Sequence, residues 1–175
     1  MSSPSSTDAL WSEVAAEALV GEGIDLVCYL PDSVVAQLHR ALEPHVHTVR
    51  LNREEEGIGI CAGYWLSGRR CCILMQNTGF GNTVNATLGL LVSMRIPCLF
   101  MISVRGLLGE FNPAQVPVGV TTSRLLDAVG IPHFSPGSLD MVAPMVRGAY
   151  RLAEAAHGPV ALLLEPQLTG GKGGL

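Results

Sequence analysis

Residues 70–82, Arg-Cys-Cys-Ile-Leu-Met-Gln-Asn-Thr-Gly-Phe-Gly-Asn, decide the fold. The first seven read as a short strand without polar alternation, so both of its faces must be covered. The Gly/Asn run that follows reads as a loop, ahead of a helix to about Met94. Working outward, the same kind of apolar segment recurs at Asp25–Leu30, Val46–Leu51, Pro97–Ser103, Ile131–Phe134 and Pro159–Glu165. Helical patterns separate them: one capped at Asp8 and ending near Gly21 or Gly23, one over Ser33–Leu42, one closing at Gly68, and two short ones after Thr121. Short apolar strands alternating with helices predict an α/β domain, a doubly wound, mainly parallel sheet of about six strands with helices on both faces. In such sheets ligands meet the loops at the carboxyl ends of the strands. Those loops are Pro31-Asp32-Ser33, Asn52–Glu56, Asn77–Asn85 and Ser103–Gln115. The segment Arg105–Thr121, with three glycines and two prolines, reads as a long irregular loop, a kind that is usually functional or disordered.

The chain has 175 residues, about one domain's worth. The expected organisation is a frayed Ser-rich start at 1–7, a single domain over 8–167 and a flexible Gly-rich tail at 168–175. Charged residues are 15% of the chain, against roughly 25% in an average soluble domain. So few charges on a small domain point to a large subunit interface, the alternative being a thermally robust monomer with a greasy but scattered surface. The net charge of -4, without any Lys/Arg run, argues against nucleic acid. No apolar run approaches the ~20 residues needed to cross a bilayer, so no membrane partner is expected. The start lacks the basic and apolar regions of a signal peptide. Cys28, Cys61, Cys71, Cys72 and Cys98 are an odd number of core-type thiols, which reads as a reduced, cytoplasmic protein. His45 and His47 alone cannot complete a metal site, and no metal ligand is expected on this chain.

The acids Glu54, Glu55 and Glu56 open an otherwise almost wholly apolar helix. Asn52 is placed to cap it, with Glu55 at the capping-box distance. The helix dipole favours all three carboxylates there by a few tenths of a kcal/mol. Glu54 differs in standing in line with Ile58, Cys61 and Trp65. It is either a helix-end charge or a working group, and spacing alone leaves both open. The run Gly79-Phe80-Gly81 is no dinucleotide fingerprint, because it follows the third strand and has no acid near Met101.

Glu54-x9-Tyr64, closing on Ala62-Gly63-Tyr64, resembles the pyrimidine-binding domain of thiamine diphosphate enzymes. Leu30-Pro31-Asp32-Ser33, Met75–Asn82 and Arg105-Gly106-x-x-Gly109-Glu110-x-Asn112-Pro113-Ala114-Gln115 narrow the likeness. They resemble the alpha subunits of sulfopyruvate decarboxylases and the first domain of phosphonopyruvate decarboxylases. The likeness runs from about residue 8 to residue 166. The family's second domain carries Gly-Asp-Gly and a later Asn-Asn, which hold Mg²⁺ and the diphosphate; no Gly-Asp-Gly occurs here.

The resemblance therefore implies a split carbon–carbon lyase. A separate diphosphate-binding beta subunit would hold Mg²⁺, and further copies of this chain would complete an αβ hetero-oligomer. It implies that Glu54 hydrogen-bonds N1′ of the cofactor's aminopyrimidine, and that Asp32 lies near the reacting carbon, delivering a proton or simply capping the helix after it. Asn77, Thr78, Gly79 and Gly81 would wall the aminopyrimidine, and Arg105, Asn112 and Gln115 would meet the substrate's distal anion. The implied reaction is decarboxylation of an anionic 2-keto acid, 3-sulfopyruvate first and phosphonopyruvate as the alternative. A non-catalytic binding or regulatory module of the same fold is the competing class.

Overall fold

A computed structural model describes residues 6–171, with side chains from Trp11 onward. The expectations for residues 1–5 and 172–175 lie outside the described residues. The elements in order are α1 (Ser6–Gly21), β1 (Leu26–Tyr29), α2 (Val35–Leu42), β2 (His47–Arg50), α3 (Glu54–Leu66), β3 (Cys71–Gln76) and α4 (Asn77–Ala86). A π-helical stretch (Thr87–Val92) continues α4; then come β4 (Cys98–Ser103), α5 (Val116–Ala128), β5 (His133–Phe134), α6 (Leu139–Ala156), β6 (Pro159–Leu164) and α7 (Pro166–Thr169). The six strands form one sheet in the order β2-β1-β3-β4-β6-β5. Every pairing is parallel.

Successive side chains of a strand point to opposite faces, and the core divides accordingly. Cys72 and Leu74 of β3, Leu99 and Met101 of β4, and Leu162 of β6 pack beneath α1, α2 and α6, against Trp11, Leu19, Leu38, Val146 and Tyr150. Ile73, Met75, Phe100, Ile102 and Leu163 face the other way, against Ile58, Cys61, Phe80, Leu91 and Leu126 of the α3, α4 and α5 layer. Each such side chain, wholly removed from water, contributes about 1.5–3 kcal/mol. The central strands β3, β4 and β6 are accordingly apolar almost throughout, while the edge strand β2 (His-Thr-Val-Arg) is half-buried to exposed. All five cysteines are free and buried, four in strands and Cys61 in α3.

Four expectations need correction. The Gly/Asn run at 77–85 is not a loop: α4 starts at Asn77, directly after β3. Two glycines in its first turns cost up to about 1 kcal/mol each in helix propensity, so composition pointed the other way. Asn77 anchors this start, its Nδ2 donating to the Arg105 carbonyl (3.0 Å) and to Thr122 Oγ1 (2.9 Å), and its Oδ1 accepting from Arg105 N (3.1 Å). The irregular segment after β4 ends at Gln115, where α5 begins with Pro117 in its first turn, a place where the missing N–H is harmless. The helix before the last strand is 18 residues long rather than short, with Pro144 inside it. Arg53, extended at φ -140 and ψ 145, is the N-cap of α3 rather than Asn52.

Candidate active site at the carboxyl edge of the sheet

The chain leaves β1 towards β2 on one side and returns to β3 on the other, so the β1–β3 boundary is a topological switch point. A cavity of about 230 Å³ opens there, lined by Leu30, Pro31, Asp32, Glu54, Gln76, Thr78, Gly79 and Asn82. It is smaller than the roughly 300–1,000 Å³ of a typical small-molecule pocket. Four of the predicted residues meet in it: Asp32, Glu54, Thr78 and Gly79.

The three consecutive acids have three separate fates. Glu55 pairs with Arg53 at 2.6 Å on the surface. Glu56 accepts from the backbone N–H of Asn52 at 3.0 Å, so the reciprocal cap falls one residue later than expected. Glu54 is 7% exposed and turns inward. Its one hydrogen bond among the described residues comes from Asn82 Nδ2 to Oε2, at a long 3.4 Å. A Cβ at position 79 would overlap the Glu54 carboxyl group, so the glycine leaves that carboxyl its place where α4 starts against α3. The first turns of the two helices thus hold a buried carboxyl group at the rim of a cavity and leave most of its bonding capacity unused.

Asp32 is firmly held. Its Oδ1 accepts from the N–H groups of Val34 (2.9 Å) and Val35 (3.3 Å) and from Ser103 Oγ (3.2 Å). Its Oδ2 accepts from Gln76 Nε2 at 2.8 Å. It therefore caps the turn into α2 and lines the cavity at once, and four donors face it as an ionised acceptor.

The other predicted residues lie elsewhere. Arg105 forms a two-pronged pair with Glu110, Nε to Oε2 at 2.6 Å and Nη2 to Oε1 at 2.5 Å, with side chains only 6% and 5% exposed. Phe111 lies beside its guanidinium, 5.5 Å to the ring centroid. Glu110 also accepts from the backbone of Gly106 (3.0 Å) and Asn112 (2.9 Å). The Arg105 hydrogen bond holds the Glu110 carboxyl at about 2, and the same bond raises Arg105 above its ordinary value. Freeing Arg105 for a substrate would strand a buried carboxylate, which costs several kcal/mol. The loop is pinned further where Gly106, at φ 84, passes so close to Gln115 and Gly119 that a Cβ would meet backbone. Asn112 Oδ1 accepts from Ala114 N (3.0 Å) in a local turn. Asn77 is spent on Arg105 and Thr122, and Gly81 is exposed outside the cavity lining. Gln115 approaches the cavity only through Thr78, at 2.9 Å.

The lining residues missed from sequence are Leu30, Pro31, Gln76 and Asn82. Reading residues 77–86 as a helix would have found Asn82, since 78, 79 and 82 then share one face. Gln76 carried a signal too: it is the polar end of an apolar strand on the ligand side of the sheet.

No family model matches the chain. It is 38% identical over 156 residues to the sulfopyruvate decarboxylase subunit alpha of Methanococcus maripaludis, covering 88% of this chain and 93% of that one. The sulfopyruvate decarboxylase of Methanosarcina acetivorans is 32% identical over 156 residues, 89% of this chain but 40% of that protein. A phosphonopyruvate decarboxylase of Streptomyces viridochromogenes matches at 34% over 112 residues, 62% of this chain and 28% of that one. Among solved structures, the 2-oxoglutarate:ferredoxin oxidoreductase of Magnetococcus marinus shares the fold, with a TM-score of 0.68 and 13% identity over 91% of this chain and 29% of that one. Near-complete coverage at this identity, over a chain with the sheet order and buried first-turn carboxyl group described above, makes this protein a member of the sulfopyruvate decarboxylase alpha-subunit family.

Proposed function

We propose that this chain is the pyrimidine-binding half of a thiamine diphosphate-dependent decarboxylase that converts 3-sulfopyruvate to sulfoacetaldehyde and CO₂. The observation that carries the reading is Glu54, a buried carboxyl group with one weak partner, pressed against a glycine at the switch point. The cavity fits one small heteroaromatic ring rather than a whole cofactor, as half of a shared site should. When bound, thiamine diphosphate supplies the nucleophilic carbon and the electron sink that this decarboxylation needs.

The rest is the work of this chain's residues. Glu54 offers its underused carboxyl to the ring nitrogen of the aminopyrimidine, where holding or passing one proton sets the ring's tautomer. Gly79 gives the ring its approach, and Thr78 and Asn82 complete the wall. Asp32 keeps a fixed carboxylate in the same cavity.

A separate beta subunit completes the site, holding the diphosphate and Mg²⁺. The relatives named subunit alpha support this, as does the Methanosarcina protein, of whose length this chain spans less than half. Among the described residues, those lining the cavity carry two carboxyl groups and no cation. With Arg105 committed to Glu110, the cation that recognises the sulfonate falls to the beta subunit.

The test is CO₂ release by the chain co-expressed with its beta subunit, with thiamine diphosphate and Mg²⁺, on sulfopyruvate, phosphonopyruvate and pyruvate in parallel. Preference for sulfopyruvate is the expected result. Preference for phosphonopyruvate would move the chain to that activity, and cofactor binding without release from any of the three would overturn the substrate assignment.

A further inference from the structure

Asp32, Thr78 and Gln115, predicted separately as site residues, are joined in one polar chain by Gln76. Gln76 stands at the end of β3 with its amide shared between two partners: Nε2 donates to Asp32 Oδ2 at 2.8 Å, and Oε1 lies 2.8 Å from Thr78 Oγ1. Thr78 Oγ1 in turn lies 2.9 Å from the side-chain amide of Gln115, the residue that caps α5. The direction of this chain follows from chemistry. A carboxylate can only accept, so the NH₂ of Gln76 must face Asp32 and its carbonyl must face Thr78. The single hydroxyl proton of Thr78 is then committed to Gln76. One proton cannot serve two amide oxygens, so Gln115 must present its NH₂ to the Thr78 lone pair. Every donor therefore points the same way, from Gln115 through Thr78 and Gln76 to the charge on Asp32. Hydrogen bonds aligned head to tail onto an anion polarise one another most where water is excluded, so the half-buried Gln76–Asp32 bond gains more than the exposed bonds of Thr78.

The two oxygens of Asp32 are not equivalent. Oδ1 is fixed by the α2 turn and by Ser103, whereas Oδ2 has Gln76 as its recorded donor. The orientation of Oδ2 in the cavity is thus set by Gln76. The other end of the chain is a firm reference, because the 105–115 loop is locked by Glu110 and by the close passage of Gly106 against Gln115 and Gly119.

We propose that Gln76 is a positioning residue that holds the Asp32 carboxylate in its working orientation, and that Gln115 supports it through Thr78. The inference rests on the reading of the cavity as the reaction site. It assigns Gln115 to alignment of Asp32, in place of direct contact with the substrate's distal anion.

The test is a double-mutant cycle in the αβ complex with Gln76→Met and Gln115→Met, which keep side-chain length and remove the amides. Gln76→Met should lower kcat roughly tenfold, the effect of losing a hydrogen bond to a charged group. Its KM and thermal midpoint should stay near those of the wild type. Gln115→Met should lower kcat a few-fold in the wild-type background and have no further effect in Gln76→Met. Unchanged kcat in Gln76→Met, or independent multiplication of the two effects, would overturn the proposal. A second readout does not need turnover. The chain has four glutamines, Gln37, Gln76, Gln115 and Gln167, so labelling it with ¹⁵N-glutamine gives four side-chain NH₂ pairs. The Gln76 pair should shift in Gln115→Met, and its failure to shift would overturn the chain of bonds. If the wild-type complex releases no CO₂, the functional reading fails while this second readout still decides the inference.

Discussion

Glu54 and Glu110 are both carboxyl groups buried at the carboxyl edge of one sheet, yet they are built for opposite ends. Glu110 accepts two bonds from Arg105 and two from backbone N–H groups, and its carboxyl is held at about 2. Glu54 has one long contact from Asn82 and a glycine where any other residue would collide with it. A saturated carboxylate organises a loop and has nothing left to offer a ligand. An unsaturated one on the wall of a cavity keeps acceptor capacity that a ligand can use. Bonding state, more than burial, separates the acid that pins a loop from the one proposed to meet a ligand.

The comparison breaks most visibly at Glu54. Glu54→Gln should reduce decarboxylation by about 10²-fold or more, the scale of a lost proton-handling group, without loss of folding or assembly. Near-normal CO₂ release from the assembled variant would remove Glu54 from the mechanism. Gly79→Ala sharpens the same side. The new methyl displaces the Glu54 carboxyl, so turnover should fall about as far, whereas urea unfolding should show a stable fold because alanine favours the helix. A fully active Gly79→Ala would mean that the position of the carboxyl is not critical.

On the other side, Glu110→Gln should cost about 3 kcal/mol of stability by leaving Arg105 buried and unpaired, read as a lower urea midpoint. The acid limb follows from the sign of the shift. The folded-state value, about 2, lies below the ordinary 4.5 of a glutamate. The stabilisation is therefore fully present above about pH 4.5 and is lost as pH falls towards 2. Glu110→Gln should flatten that part of the stability curve, and an unchanged acid limb would contradict the assignment. The smallest effect belongs to Glu55, whose pair with Arg53 is surface-exposed. Glu55→Gln should shift stability by less than about 0.5 kcal/mol and leave turnover unaltered.

The sheet was legible because its central strands are apolar on both faces and its strands are bounded by Pro, Gly and charged residues. All six fall within a residue or two of their predicted ends. Glu54 was legible as the acid in line with Ile58 and Cys61, which are indeed wholly buried beneath it. What could not be read was where side chains spend their hydrogen bonds. Arg105 looked free because Glu110, five residues on, reaches it only through the turn at Gly106. Asn77 looked like a wall of the cavity, but its partners Arg105 and Thr122 are 28 and 45 residues away in sequence. The α4 start was hidden by its glycines, which disfavour a helix, although Gly79 is where α4 makes room for the Glu54 carboxyl.

The most direct test of the central claim is the rate at which the C2 proton of bound thiamine diphosphate exchanges with deuterium in the αβ complex, compared between wild type and Glu54→Gln. If Glu54 is the working carboxyl group, exchange should slow by about 10²-fold or more in the variant while the cofactor stays bound. Equal exchange rates with the cofactor bound in both would contradict the account.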